Sequence, residues 1–344
     1  MKKCETVFWV LLAGVLALVG AATAEDGPHG TFKFKTVVVP KALQTSIYGI
    51  NNSGAMVGYY INEMGAIHGL LLVNGEVTNI DDPNSAFGTE AINVNSSGTI
   101  VGEYITDAEG DVAGFSYQNG QFRDVQPVNG IPAIACLESF ASGINDSGEI
   151  VGNCNLDGVV HGYLWNGAEY TLLDYPGAND FTLAWGINNA GLVTLQWIDS
   201  NGNYEGATYD SVTQEYSAPI NVPGAAETYI HSINNTGDIV FSCYDASGNS
   251  YGAVMIGQEF YTFSDPHGPT YTRPDGINDA LDIVGRFEVT GGKFEKGFEA
   301  AIRNGKGEGE RRLPGNSSAA TGATGVAKSA PTLHPTSSRM LSEN

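Results

Sequence analysis

The ten residues GINNSGAMVG, which run from Gly49 to Gly58, recur in six versions along this chain of 344 residues. The other versions are NVNSSGTIVG from Asn93, GINDSGEIVG from Gly143, GINNAGLVTL from Gly186, SINNTGDIVF from Ser232 and GINDALDIVG from Gly276. The first Asn of each falls at Asn51, Asn95, Asn145, Asn188, Asn234 and Asn278, at intervals of 44, 50, 43, 46 and 44 residues. A nearly fixed period of this size is typical of propellers and solenoids.

Each copy divides into four predicted strands. An apolar piece ending in Ile-Asn leads into a turn that carries Gly in five copies and Leu281 in the sixth, where the left-handed conformation costs a non-Gly residue roughly 1–2 kcal/mol. A second strand and a variable polar loop follow. The third strand holds a Gly in every copy, which suggests close backbone approach by a neighbouring blade. The asparagine side chains are expected to cap their own turns rather than to contact a ligand.

The two ends of the array distinguish a closed ring from an open solenoid. The sixth copy lacks an alternating apolar fourth strand after Asn304, whereas Phe34 to Pro40 has the spacing of the fourth strands in other copies. The segment from Thr31 to Pro40 is therefore predicted to pair with the strand around Gly297 to Arg303. The fold class predicted is all-β, a six-bladed propeller of four-stranded antiparallel blades closed by the N-terminal strand.

Composition and termini predict an exported, acidic protein. Lys2 and Lys3 precede an apolar run that ends in Ala22, Thr23 and Ala24, so residues 1–24 read as a cleaved signal peptide and the mature chain as secreted or periplasmic. An uncleaved anchor is the alternative. Residues 25–304 form the predicted propeller, with 9 Lys and Arg against 34 Asp and Glu, which disfavours nucleic acid as a partner. Residues 305–344 read as a disordered low-complexity tail, and no membrane insertion is expected after cleavage.

The repeats resemble the bacterial extracellular repeat family named for its His-Ala-Phe motif, the HAF repeat proteins. The resemblance covers residues 30–304 and rests on the INNSG-like phrase and on the third strands HGLLL at His68 and HGYLW at His161. Gly stands here where the family has Ala, and two copies keep the His. The resemblance implies export and a repeat architecture, and it implies no reaction.

Candidate ligand residues are sought where the copies differ, in the second-to-third strand loops and the blade-to-blade connections. In an up-and-down blade these two sets of loops share one face, called the variable face below, and the short turns share the other. Aromatic side chains and nearby loop carboxylates are the ligand-binding candidates on this face. The aromatic faces offer contact area, and the carboxylates orient the hydroxyls of a ligand. The candidates are Trp185, Trp197, Asp199, Tyr104, Asp107, Tyr244 and Asp245.

Each of these candidates has a second interpretation. Tyr104 and Trp197 occupy one position at the end of the second strand, where packing between blades is favoured over a sugar platform. The loop acids are ordinary turn formers, and a Ca²⁺ site built from them is an alternative that the spacing supports weakly. No metal site and no catalytic residue are assigned, because no tight metal-ligand spacing or catalytic signature occurs.

A disulfide between Cys136 and Cys154 is predicted. The connection into the third copy is longer than the others and carries Cys136, and Cys154 ends the second strand of the same blade. Cys243 occupies the matching position two blades away, too far to compete.

These features favour a non-catalytic binding or interaction module at or outside the cell envelope, with an extracellular glycan or protein as ligand. A glycan hydrolase or lyase that uses loop carboxylates is the alternative, and the two differ in whether several acids converge in one pocket at the ring's mouth.

Overall fold

The computed structural model describes residues 22–23, 31–125, 136, 138–156, 158–289 and 291–303. These residues form strands and loops without a helix, and none of their segments is a helix able to cross a membrane. The predicted signal peptide, apart from Ala22–Thr23, and the predicted tail lie outside the described residues. Blade 1 contains strands β3 (Gln44–Ile50), β4 (Met56–Ile61), β5 (Ile67–Val73) and β6 (Glu76–Asn79); blade 2 contains β7 (Gly88–Val94), β8 (Ile100–Ile105), β9 (Val112–Gln118) and β10 (Gln121–Asp124); blade 3 contains β11 (Ser139–Ile144), β12 (Ile150–Leu156), β13 (Val159–Trp165) and β14 (Tyr170–Leu173); blade 4 contains β15 (Thr182–Ile187), β16 (Leu192–Ile198), β17 (Tyr204–Asp210) and β18 (Glu215–Tyr216); blade 5 contains β19 (Glu227–Ile233), β20 (Ile239–Tyr244), β21 (Ser250–Ile256) and β22 (Glu259–Phe263); blade 6 contains β23 (Thr272–Ile277), β24 (Asp282–Glu288), β25 (Glu295–Arg303), β2 (Thr31–Val37) and the short β1 (Ala22–Thr23).

The six blades form a closed ring. Within blades 1 to 5 the strands pair antiparallel in chain order, and the first strand of each blade is innermost. The innermost strands contact one another in succession from β3 to β23, and β23 contacts β3. This arrangement confirms the predicted six-bladed propeller.

The N-terminal strand completes blade 6. Strand β2 pairs antiparallel with β25, in a register that places Thr31 opposite Arg303 and Val37 opposite Gly297. Phe34 is buried in this blade and its ring lies edge-on to that of Phe298, 5.7 Å between centroids. The predicted pairing is therefore confirmed, and the hydrogen bonds between the two chain ends join the first and last parts of the array.

The hydrophobic core is divided among the interfaces between blades. One face of each blade packs on its neighbour, as when Val57 of blade 1 joins Ile100 and Phe115 of blade 2. The glycine of the third strand permits this approach. A Cβ on Gly114 would lie 2.7 Å from the carbonyl oxygen of Val125 in its own blade and 3.2 Å from the amide of Ala141 in the next blade.

The Ile-Asn asparagines have two roles, and the sequence predicted one of them. Asn188 illustrates the pattern: its Oδ1 accepts hydrogen bonds from the amides of Ala190 and Leu192, each at 3.0 Å, and so caps its turn. Its Nδ2 donates to the carbonyl of Asn234 in the next blade at 3.1 Å. The same donation runs from each blade to the next and closes between Asn278 and Asn51, over distances of 3.0–3.3 Å. We call these six bonds the asparagine ring.

The sixth turn keeps the geometry of the others despite its Leu. Leu281 has φ +61°, in the left-handed region that Gly237 occupies with φ +86° in blade 5. The turn therefore does not change type. Its side chain packs against the core between blades 5 and 6.

Candidate ligand site in the central channel

The channel along the ring axis is lined by alternate residues of the innermost strands. Strand alternation sends Ala91 of β7 into the core between blades, whereas Glu90 and Ile92 on either side of it face the axis. In β23, Arg273 and Asp275 face the axis in the same way. The channel surface is thus made of residues that vary from copy to copy.

A cavity of about 60 Å³ lies within this channel. All six innermost strands contribute to its lining, and the second strands of blades 2 and 6 add one charged residue each. The lining consists of Tyr48, Glu90, Ile92, Asn93, Glu103, Phe140, Ser142, Trp185, His231, Ser232, Arg273, Asp275 and Arg286. Aromatic surface and charges of both signs therefore meet at the centre of the ring.

Blade 6 lines the cavity with two arginines and one aspartate. Arg273 donates from Nε to Oδ1 of Asp275 at 3.2 Å, and Arg286 Nε lies 3.9 Å from the other carboxylate oxygen. Arg286 is 4% exposed, with Nε 3.4 Å from Oε1 of Glu295 and its guanidinium carbon 4.8 Å from the centre of the Tyr48 ring. Its Nη1 has no hydrogen-bond partner among the described residues. This wall therefore contains a buried donor without an acceptor among the described residues.

The ionisation of this wall follows from burial and from the pairing of opposite charges. Burial by itself lowers the pKa of Arg286, but the Asp275 carboxylate and other acidic neighbours raise it well above its ordinary value. The guanidinium therefore keeps its charge. Burial raises the pKa of Asp275, and the charges of Arg286 and Arg273 oppose that rise.

Blade 2 contributes two carboxyl groups to the cavity. Glu90 and Glu103 are 2% and 4% exposed, and they lie directly opposite each other on β7 and β8. The hydroxyl of Tyr48 donates to Oε2 of Glu90 at 3.2 Å. Tyr48 thus joins blades 2 and 6, with its ring against the Arg286 guanidinium and its hydroxyl bonded to Glu90.

Blades 3 to 5 complete the cavity with aromatic surface. The Trp185 ring lies 6.0 Å from that of Phe140 and 5.7 Å from that of His231, edge-on to the imidazole. His231 shares a hydrogen bond between Nε2 and the Ser242 hydroxyl at 2.9 Å. Burial lowers the pKa of His231 well below its usual value, and the charges of Arg273 and Arg286 lower it further. His231 is therefore neutral at physiological pH and adds no positive charge.

A second cavity of about 60 Å³ lies on the axis at the face of the short turns. Its lining includes the polar residue that follows each Ile-Asn asparagine. Asp146 and Asp279 are two of these, and each accepts a backbone N–H from the neighbouring blade at 2.8 Å. The polar groups here serve to join neighbouring turns.

The loop acids predicted as ligand residues are occupied within their own loops. Oδ1 of Asp199 accepts from the amides of Asn201 and Asn203, at 2.8 and 2.9 Å, and Oδ2 accepts from their side chains. The Asn203 amide and the other loop donors hold the pKa of Asp199 below its usual value. Asp107 and Asp245 bond in the same way to amides two and four residues later. Each of these acids shapes one hairpin loop.

The predicted aromatic residues are placed differently from one another. Trp197 is 7% exposed and stacks on Tyr175 with 4.1 Å between ring centres, while Tyr104 is buried in the core between blades 1 and 2. Tyr244 is partly buried, edge-on to Tyr229. Trp185, in contrast, lies on β15 rather than in a loop and lines the channel cavity. The structure therefore brings Trp185 to the cavity and the other six candidates elsewhere.

The described cysteines form one disulfide and leave one free thiol. Cys136 and Cys154 form a disulfide, with Cα atoms 5.5 Å apart, and Cys243 is a buried free thiol whose pKa burial raises to about 12. Within the described ranges, no three His, Cys, Asp or Glu side chains are grouped as metal ligands.

Sequence reasoning missed most of the cavity residues, although the repeat contains a signal for two of them, Glu103 and Arg286. One position of the second strand, eight residues after the Ile-Asn asparagine, is polar in all six copies and different in each. It is occupied by Tyr59, Glu103, Asn153, Gln196, Ser242 and Arg286. An invariably polar position in an otherwise apolar strand indicates a surface that faces something other than core.

Comparison with known proteins agrees with the fold. No family model and no curated protein matches the chain. Among solved structures, a putative TolB from Agrobacterium tumefaciens is 12% identical with a TM-score of 0.50, covering 76% of this chain and 91% of that one. Aleuria aurantia lectin in complex with Fucα1-6GlcNAc is 14% identical (TM-score 0.44; 73% and 91% covered), and a Xanthomonas campestris gluconolactonase 12% (0.47; 83% and 99%). At 12% identity, the similarity to the TolB structure concerns the fold alone.

Proposed function

We propose that this protein is an exported, non-catalytic binding module that acts at or outside the cell envelope and holds a small polar group of its ligand in the channel cavity. The observation that carries the proposal is the buried Arg286, which lines the same cavity as Trp185 and whose Nη1 has no hydrogen-bond partner among the described residues. A buried polar group without a partner is destabilising by about 1–3 kcal/mol, or more when charged. A ligand that accepts this hydrogen bond removes the penalty.

Export and the extracellular setting belong to the same proposal. The leader-like residues 1–24 and the resemblance to the HAF repeat proteins support them. The ligand is an extracellular glycan or protein group, and the loop carboxylates shape the variable face around the channel rather than form the site.

A hydrolase or lyase is the second candidate, because three carboxylates line one cavity: Glu90, Glu103 and Asp275. A glycosidase needs one protonated and one ionised carboxyl group across a cleft, and the raised pKa of Asp275 is the direction a general acid requires. Asp275, however, accepts a hydrogen bond from Arg273 and lies beside Arg286, an arrangement that favours its charged form. The binding module is therefore preferred.

The test is a screen of the chain from residue 25 against glycans, peptides and small charged metabolites, for binding and for turnover. Trp185→Ala should weaken binding of any ligand found by at least about tenfold, since it removes an aromatic wall. Asp199→Asn, which keeps the loop cap and removes a charge on the variable face, is the matched control and should leave affinity unchanged. Loss of binding in the control with retention in Trp185→Ala would place the ligand on the loops instead. Turnover of any glycan that is abolished by Asp275→Asn would show that the protein is an enzyme rather than a binding module.

A further inference from the structure

We infer that two copies of this chain associate through the variable faces of blades 6, 1 and 2. The surface there has exposed apolar side chains at its centre, lysines on one flank and carboxylates on the other, so it is complementary to itself. This association does not depend on the group that the channel cavity holds.

Exposed apolar side chains are concentrated on one sector of the variable face. Seven large apolar side chains are exposed among the described residues, and five of them lie in loops of this face in three consecutive blades. Blades 3 to 5 have none on the described parts of their variable face. Exposed apolar surface confined to one sector indicates an interaction site. The five side chains are those of Leu43, Met64, Phe87, Val289 and Phe294.

A contact between blades 6 and 1 joins two of these loops. Nε2 of Gln44 donates to Oε2 of Glu295 at 3.2 Å, and both side chains are buried. Leu43 directly precedes Gln44, and Phe294 directly precedes Glu295. The exposed side chains of Leu43 and Phe294 therefore lie on neighbouring loops that are held together.

The same surface continues from blade 1 to blade 2. The amide of Leu43 donates to the carbonyl of Ile61 at 2.8 Å, where β4 ends and the loop with the exposed methionine begins. At the other end of that loop, a Cβ on Gly88 would lie 2.5 Å from the Cβ of Ile67, so Phe87 is its neighbour. The five apolar side chains thus belong to one run of adjoining loops, which we call the docking sector.

The two flanks of the docking sector carry opposite charges. On the blade 6 flank, Lys293 and Lys296 are exposed next to Phe294. On the blade 2 flank, the loop after β8 adjoins the sector, because the amide of Ala86 donates to the carbonyl of Ile105 at 2.9 Å. The acids of that loop are Asp107, Glu109 and Asp111.

The charge of the rest of the ring favours a second copy as the occupant. Eight of the nine Lys and Arg in residues 25–304 belong to blade 6 or its connection into blade 1, whereas residues 138–265, which span blades 3 to 5, hold 16 Asp and Glu and no Lys or Arg. A two-fold axis through blade 1 brings the lysine flank of each ring to the carboxylate flank of the other, and apolar centre to apolar centre. Blades 3 to 5 of the two copies repel each other, so the rings touch at the docking sector and diverge toward blade 4. An anionic lipid surface would attract the lysines but repel the carboxylate flank.

The experiment is analytical ultracentrifugation of the chain from residue 25 over a range of protein concentrations. We expect a monomer that becomes a dimer with a dissociation constant below about 100 μM at low salt. Half-molar NaCl should weaken the dimer by at least about threefold, because it screens the ion pairs. A protein that stays monomeric throughout, at low salt, overturns the inference. A monomer that binds vesicles of anionic lipid through Phe87 would identify a membrane surface as the occupant and overturn it too.

Charge reversal on the lysine flank tests the pairing of the flanks. Lys293→Glu combined with Lys296→Glu should weaken the dimer by at least about tenfold, because like charges then face each other. Adding Glu109→Lys to that protein should recover at least about threefold of the loss. Lys33→Glu makes the same change at an exposed position of blade 6 outside the docking sector, and it should leave the dimer unchanged. A double variant that dimerises like the original contradicts the inference.

Removal of apolar surface tests the centre of the docking sector. Met64→Ser and Phe87→Ser should each weaken the dimer by at least about threefold, since each exposes less apolar surface to be buried. Met64 is 89% exposed, so its replacement should leave the fold intact, which circular dichroism checks. Val212→Ser is the matched control, because Val212 is 78% exposed but lies between β17 and β18 on the face of the short turns. A dimer that is weakened by Val212→Ser and not by the other two variants uses the opposite face and refutes the docking sector.

Discussion

Replacing Asn188 by Ala tests the contribution of the asparagine ring to stability. The side chain is buried and makes three hydrogen bonds, two that cap its own turn and one to the carbonyl of Asn234. A buried hydrogen bond contributes a net 0.5–1.5 kcal/mol, so the variant should lose about 3 kcal/mol of unfolding free energy. That is a large share of the 5–15 kcal/mol typical of a domain.

Urea unfolding followed by fluorescence measures this loss as a lower midpoint at constant slope. Asn188→Asp keeps the turn cap but places a carboxylate oxygen against the carbonyl oxygen of Asn234, so this buried contact between two acceptors should make it lose at least as much stability as Asn188→Ala. Asn203→Ala is the control, because that exposed side chain bonds only within its own loop and should change stability by less than about 0.5 kcal/mol. If the unfolding free energy of Asn188→Ala differs from that of the original protein by less than about 0.5 kcal/mol, on the order of one weak hydrogen bond, the asparagine ring is not a stabilising element.

Three further predictions concern local features. Gly237→Ala should lose about 1 kcal/mol of unfolding free energy, because the φ of +86° is strained for Ala although the added Cβ would meet no atom within 4 Å. Leu281→Gly should change stability little, since relief of the backbone strain offsets the lost packing. A Gly237→Ala protein that is as stable as the original in urea unfolding would contradict this. Titration of the denatured, unreduced chain from residue 25 should find one free thiol, and titration after reduction should find three; three thiols without reductant would refute the disulfide. Cys136→Ser, which removes the disulfide across a separation of 18 residues, should lower the unfolding free energy by roughly 3 kcal/mol. Trp197→Ala should lose about 3–5 kcal/mol, because the side chain is 7% exposed and stacked, and a melting temperature within a degree or two of the original would show that it is not a packing residue.

The features that the sequence predicted correctly depend on local pattern and period. The recurring Ile-Asn phrase fixes six turns at nearly equal spacing, and strand alternation around each turn needs no knowledge of distant residues. The half repeat at each end was enough to predict that β2 pairs with β25. Cap formation by Asn51 and its equivalents follows from side-chain reach over two to four residues, which is also local.

The candidate site depended on the tertiary structure. Tyr48, Glu90 and Arg286 belong to blades 1, 2 and 6. Only the closed ring brings Glu90 and Arg286 into contact with the side chain of Tyr48. Sequence reasoning assigned the variation between copies to the loops, and it therefore selected Asp199 and Trp197, which the structure places in a loop cap and in packing.

The sequence by itself thus determined the propeller, its ring closure and its turn caps, because each is specified by residues close together in the chain or by the period. The tertiary structure alone decided which varying positions face the axis and which charges meet there. The physical reason is that strand alternation tells which residues share a face of one blade, but not what the neighbouring blades place opposite that face. The opposed pairs Arg273 with Arg286 and Glu90 with Glu103 acquire their meaning as two walls of one cavity only when the six innermost strands surround a common axis.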